Sequence, residues 1–86
     1  MTLESKLQAK IIKHYESLGY YVIKLIKTNK NGIPDLLCLK DGTGFFIEVK
    51  SEKGIVRPLQ KYRHEELIKY GFETIIQRDD NLKPLK

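Results

Sequence analysis

Gly32-Ile33-Pro34-Asp35-Leu36-Leu37-Cys38-Leu39-Lys40-Asp41-Gly42-Thr43-Gly44-Phe45-Phe46-Ile47-Glu48-Val49-Lys50 is the stretch on which the reading of this 86-residue chain turns. Pro34 has no N–H to give to a sheet ladder, so it suits the start of a strand, and the run Asp35–Lys40 reads as that strand. Asp41-Gly42 is a two-residue hairpin signal. Phe45–Lys50 reads as the return strand. With a two-residue turn, Lys40 stands opposite Thr43, Leu39 opposite Gly44 and, at the far end, Asp35 opposite Glu48. Opposed residues share a face with Cβ atoms about 5 Å apart. Lys50, two residues beyond Glu48, shares that face. A four-residue turn keeps this parity; a three- or five-residue turn without a bulge sends Asp35 to the other face.

Outward from the hairpin, the pattern alternates between helix and strand. Thr2 to Leu18 carries Leu3, Leu7, Ile11, Tyr15 and Leu18 at helical spacing. Thr2 is a suitable N-cap, Glu4 suits the positive helix start and Gly19 the stop. Tyr20–Lys27 is aromatic and β-branched, hence a strand. Thr28–Gly32 and Ser51–Val56 are polar loops. Pro58 opens a second helix, which runs to about Tyr70 before Gly71, with Leu59, Tyr62, Leu67 and Tyr70 as its apolar face. Phe72–Gln77 is a last strand, and the charged tail from Arg78, with Pro84, is expected to fray or to pack on a neighbour. The expectation is an α/β fold: a mixed β-sheet flanked by helices, in the order αβββαβ, as one domain over residues 1–86.

Lys and Arg number 16 against 11 Asp and Glu, a formal net charge of +5. That excess favours an anionic partner, most often nucleic acid. The one cysteine, Cys38, sits in an apolar run and reads as a buried strand residue; no intrachain disulfide is possible. The opening residues lack the pattern of a secretion signal and no run is long enough to cross a bilayer, so a cytoplasmic protein with no membrane association is expected.

The chemistry lies in the trio. Two carboxylates this close repel when both are ionised, and a divalent cation removes the conflict. Mg²⁺ takes a few carboxylate oxygens and keeps waters for phosphate groups. A lysine beside it can orient a nucleophile or stabilise developing charge. Asp35, Glu48 and Lys50 therefore make a workable site for phosphodiester hydrolysis with Mg²⁺ or Mn²⁺. The competing reading is an ion-pair cluster on a solvated sheet face.

The pattern resembles the PD-(D/E)XK nuclease superfamily, with its restriction-endonuclease-like core, and within it the VRR-NUC (virus-type replication-repair nuclease) branch. The resemblance rests on Glu4 with Gln8, Gly19, Gly32-Ile33-Pro34-Asp35, Ile47-Glu48-Val49-Lys50 and Gln60, and covers nearly the whole chain. It implies Asp35 and Glu48 as metal ligands, the Val49 carbonyl as a third, Lys50 as the catalytic lysine, Gln60 as support from the second helix, and Glu4 as a further acidic contributor to the metal, directly or through water. It also implies a viral or phage protein, a homodimer, and a preference for branched DNA such as four-way (Holliday) junctions. Val56-Arg57-Pro58 departs from the small capping residue common before the second helix.

Lys24, Lys27, Lys30, Lys53 and Arg57 lie in or near the two loops that flank the trio and are the candidate phosphate contacts. His14 and His64 show no metal-ligand spacing and read as structural or surface residues. Tyr20 and Tyr21 read as core or interface, with base stacking as the alternative. The alternative function is a non-catalytic nucleic-acid-binding module. Gly44–Val49 loosely resembles the aromatic strand of an RNA-recognition fold, but that fold begins with a strand, and this chain begins with a helix.

Overall fold

Asp41 and Gly42 both take positive φ, 51° and 77°. These are the signs that a two-residue primed turn requires. The turn joins β2 (Leu36–Lys40) to β3 (Thr43–Val49), with Lys40 opposite Thr43 and Leu36 opposite Ile47. In the computed structural model, which describes residues 2–78, four strands form one sheet in the order β1-β2-β3-β4. β1 (Tyr21–Lys24) is antiparallel to β2, and β4 (Thr74–Gln77) is parallel to β3. α1 (Leu3–Ser17) precedes β1, and α2 (Pro58–Lys69) makes the crossover from β3 to β4 that a parallel pair needs. The expected order αβββαβ is the observed one. The expectation for the tail beyond Arg78 lies outside the described residues.

The register sorts the sheet into two faces. Leu36, Cys38, Ile47 and Val49 point one way and are buried with Ile11 and Tyr15 of α1. Leu7, Ile12, Tyr20, Val22 and Phe45 close around them, and the rings of Tyr15, Tyr20 and Phe45 meet edge to face. Tyr20 is therefore a core residue, whereas Tyr21 is exposed. Full burial of each large aliphatic here contributes about 1.5–3 kcal/mol. Cys38 is sealed in this layer, and burial pushes its thiol up to about 11. That suits a packing residue and not a nucleophile.

Three sequence expectations need correction. The α1 stripe is buried only at its centre; Leu3 and Leu18 at its ends are exposed. β1 stops at Lys24, because the chain leaves the ladder after Leu25 N–H donates to the Asp35 carbonyl; Ile26 to Lys30 are exposed. The apolar face expected for α2 is not its inner face. Leu59, Tyr62 and Tyr70 are exposed, Leu67 is half-buried, and the buried residue of the helix is His64. The reason is what α2 packs against: the second face of the sheet, where β3 carries Glu48.

Candidate active site

Continuing the β2–β3 ladder one pair past Leu36 and Ile47 sets Asp35 opposite Glu48, on the face turned away from the α1 core. Asp35 is locked there by its own backbone and side chain. Its carbonyl accepts from Leu25 N–H and its Oδ2 accepts from Val49 N–H, both at 2.8 Å. Gly32, at φ 82°, makes the turn that delivers Ile33-Pro34-Asp35; a Cβ on it would stand 2.8 Å from Leu59 Cγ and 3.1 Å from the Leu59 carbonyl oxygen. Only glycine allows the loop to lie this close to the first turn of α2. Arg63 ties the same loop from further along the helix, donating from Nε to the Asn31 carbonyl at 2.8 Å.

Glu48 is 2% exposed, in the middle of these groups. Lys50 Nζ lies 3.7 Å from its Oε2, and Gln60 Nε2 donates to the same oxygen at 3.3 Å. Gln60 does double duty: its Oε1 accepts from the Arg57 N–H at 2.9 Å, which is the N3-to-N-cap half of a capping box. So Arg57, whose side chain makes no cap bond, still starts a capped helix. The other carboxylate oxygen, Oε1, is buried without a hydrogen-bond partner and faces His64 Nε2 at 3.5 Å, itself buried without one.

These surroundings disfavour the ionised form of Glu48. Burial raises its pKa most, the Asp35 carboxyl adds to the rise and Lys50 offsets part of it, leaving the group at about 8. Burial, then Lys50, holds His64 below the usual imidazole value. A buried carboxyl whose charge is disfavoured by burial and by the acid opposite it fits a divalent cation. Among the described residues no three His, Cys, Asp or Glu side chains gather into one ligand group. A donor set of two carboxylates and a backbone carbonyl suits an oxygen-seeking ion that keeps its waters, as Mg²⁺ does, and not a closed zinc site. Val49, at the end of β3, donates its N–H to Asp35 Oδ2 and directly precedes Lys50.

Glu4 approaches from α1. A Cβ on Gly54 would meet Glu4 Oε2 at 3.3 Å and Lys50 Cδ at 3.4 Å, so Gly54 leaves room for this acid and the lysine stem to approach the same point. Arg78, just past β4, donates to the Ser51 and Gly54 carbonyls and holds the loop in which Gly54 lies. Of the cations singled out in sequence, Lys27 and Lys30 are exposed and line a cavity of about 220 Å³ together with Gly32 and Ile33. Lys53 and Arg57 are exposed near the exit of Lys50. Lys24 pairs with Leu36 in register and so projects from the α1 face, away from Glu48. His64 is the residue that sequence reasoning leaves out. Its signal is the spacing Gln60-x-x-x-His64, which puts both on one helical face; metal-ligand spacing is the wrong test for a histidine that faces a carboxylate.

No family model matches the sequence, and neither does any curated protein sequence. A solved structure described as "VRR_NUC domain" does match: it superposes with a TM-score of 0.82 at 33% identity, over 93% of this chain and 88% of that one. The agreement takes in the whole αβββαβ arrangement at one identical residue in three, and on that ground the chain belongs to the VRR_NUC family of nuclease domains, with a PD-(D/E)XK-type core.

Proposed function

We propose that this nuclease-family domain is a metal-dependent endodeoxyribonuclease and that Asp35, Glu48, Lys50 and Gln60 are its working residues. The observation that carries the reading is their convergence on one buried carboxylate: Lys50 at 3.7 Å, Gln60 at 3.3 Å, and Asp35 opposed across the hairpin. Asp35, Glu48 and the Val49 carbonyl hold Mg²⁺ or Mn²⁺. When bound, the ion supplies Lewis-acid polarisation of the scissile phosphate and lowers the pKa of water. Lys50 orients the attacking water and stabilises charge on the phosphate as it develops. Gln60 keeps Glu48 Oε2 in place, and its second bond, to the Arg57 N–H, fixes Gln60 in turn. Glu4 contributes a further acid to the metal site from the α1 side, directly or through water. Lys27, Lys30, Lys53 and Arg57 contact phosphates along the two flanking loops.

The resemblance of the sequence to stand-alone VRR-NUC modules extends the reading to a homodimer acting on branched DNA such as four-way junctions. Two symmetry-related sites suit paired cuts. The test is incubation of the protein with labelled duplex, single-stranded and four-way-junction DNA, in Mg²⁺, in Mn²⁺ and in chelator. Metal-dependent internal cuts, fastest on the junction, are expected. Binding of DNA without cleavage in either metal would instead identify a binding module. Equal cleavage of all three substrates would remove the branched-DNA preference and leave the nuclease assignment standing.

A further inference from the structure

Glu48 is met from one turn of α2 at both of its oxygens. Gln60 Nε2 donates to Oε2 at 3.3 Å; four residues on, His64 Nε2 faces Oε1 at 3.5 Å. His64 is 8% exposed in a chain that leaves many large apolar side chains of the same helix in solvent. Burial of a polar ring in the place where Leu59, Tyr62 or Tyr70 could have turned inward needs a polar reason. The atoms that face each other, His64 Nε2 and Glu48 Oε1, are both buried and have no other hydrogen-bond partner. A neutral imidazole carries one ring N–H, and a carboxylate oxygen is an acceptor, so the two are complementary. A movement of roughly half an ångström closes the gap to ordinary N–H···O distance. His64 does not join Asp35 and Glu48 in a three-residue ligand group, which leaves the carboxylate as its target.

We propose that His64 is a positioning residue: its Nε2–H donates to Glu48 Oε1 and, with Gln60 on Oε2, fixes the plane of the carboxylate that receives the divalent cation. The inference rests on the metal-dependent reading above and adds a residue to it. Outer partners of this kind set the orientation and basicity of a metal-binding side chain, and their loss lowers metal affinity by about 10- to 100-fold.

The test is the affinity of the full chain for Mn²⁺, read as free Mn²⁺ by electron paramagnetic resonance, for the parent and for His64→Ala, His64→Gln and His64→Asn. Gln places an amide N–H at the reach of Nε2; Asn places one only at the reach of Nδ1. His64→Ala and His64→Asn are expected to bind Mn²⁺ about 10- to 100-fold more weakly, and His64→Gln to stay close to the parent. Melting temperatures without metal should be alike for His64→Gln and His64→Asn, a match that a purely structural role cannot combine with divergent Mn²⁺ affinities. Should His64→Ala fail to fold, the two amide variants carry the decision. Mn²⁺ affinities that are equal across the variants, or as weak for Gln as for Asn, overturn the role of His64 alone. A parent that binds no Mn²⁺ overturns the metal reading and this inference with it. A parent that binds Mn²⁺, with the expected order of variants, and cuts no DNA supports His64 and overturns the nuclease reading instead.

Discussion

At the scale of the residue Glu48 is the most perturbed acid of the site, and its titration gives a measurable consequence. In the folded, metal-free protein it keeps its proton up to about 8, whereas its ordinary value is 4.5. Between those values the folded state binds more protons than the unfolded one. Its contribution to stability is therefore complete below about pH 4.5 and is lost as pH rises through 8. His64 works in the opposite sense, since its folded value lies below 6.5 and its share is lost as pH falls. At pH 6.5 the unfolded imidazole is already half neutral and it becomes almost wholly so as pH rises further, so from 6.5 to 8 the His64 contribution is the smaller and fading one and the window reports mainly on Glu48. The melting temperature of the metal-free protein should fall across that window. Asp35→Asn, which removes the like charge, should make the fall shallower, and Mg²⁺ should do the same in the parent. A parent whose melting temperature is flat or rising from pH 6.5 to 8 would show that Glu48 does not hold its proton to about 8.

At the scale of the element, two glycines with similar backbone angles should behave differently. Gly42, at φ 77°, has open space where a Cβ would go, so Gly42→Ala brings only the cost of a side chain in the left-handed region, about 1–2 kcal/mol. Gly32, at φ 82°, carries the same backbone cost and also forces a Cβ into Leu59 at the start of α2. Gln60 sits one residue beyond Leu59. Both variants should melt below the parent, but only Gly32→Ala should lose DNA cleavage out of proportion to its stability, when single-turnover rates are compared well below the melting point. Equal rates for the two variants would mean that the Gly32 loop and α2 are not coupled. The contrast also explains what was legible in sequence. Asp41-Gly42 announces its own geometry, and from it the Asp35–Glu48 opposition and the place of Lys50 follow by parity. The inward face of α2 was hidden for a physical reason: periodicity marks apolar stripes, and this helix lies on a sheet face that carries the buried carboxyl of Glu48. Its inner residues are therefore Gln60 and His64, while Leu59, Tyr62 and Tyr70 face solvent. The end of β1 was hidden too, because Leu25 and Ile26 continue the apolar run after the ladder has stopped.

At the scale of the molecule, the cations behind a net charge of +5 are spread so that only some of them lie beside the site. Lys27 and Lys30 border the loop that delivers Asp35, while Lys24 projects from the opposite face of the sheet. Replacing Lys27 and Lys30 by Ala should weaken DNA binding and flatten its dependence on salt, by a slope of about 0.9 for each duplex phosphate that the protein no longer neutralises. Lys24→Ala should leave that slope unchanged; a slope that falls as much for Lys24→Ala would mean that DNA crosses the sheet on the α1 side. What ties the scales together is that a two-residue turn, a glycine and one helical turn bring Asp35, Lys50 and Gln60 onto a single buried carboxylate. The most direct test is single-turnover cleavage of four-way-junction DNA in Mg²⁺ by the parent, Asp35→Asn and Lys50→Ala, with binding of the same DNA measured alongside. The parent should cut, and both variants should bind the junction yet cut at least about 100-fold more slowly, the scale of loss when a group that stabilises the transition state is removed. Variants that cut as fast as the parent would contradict the site at its centre.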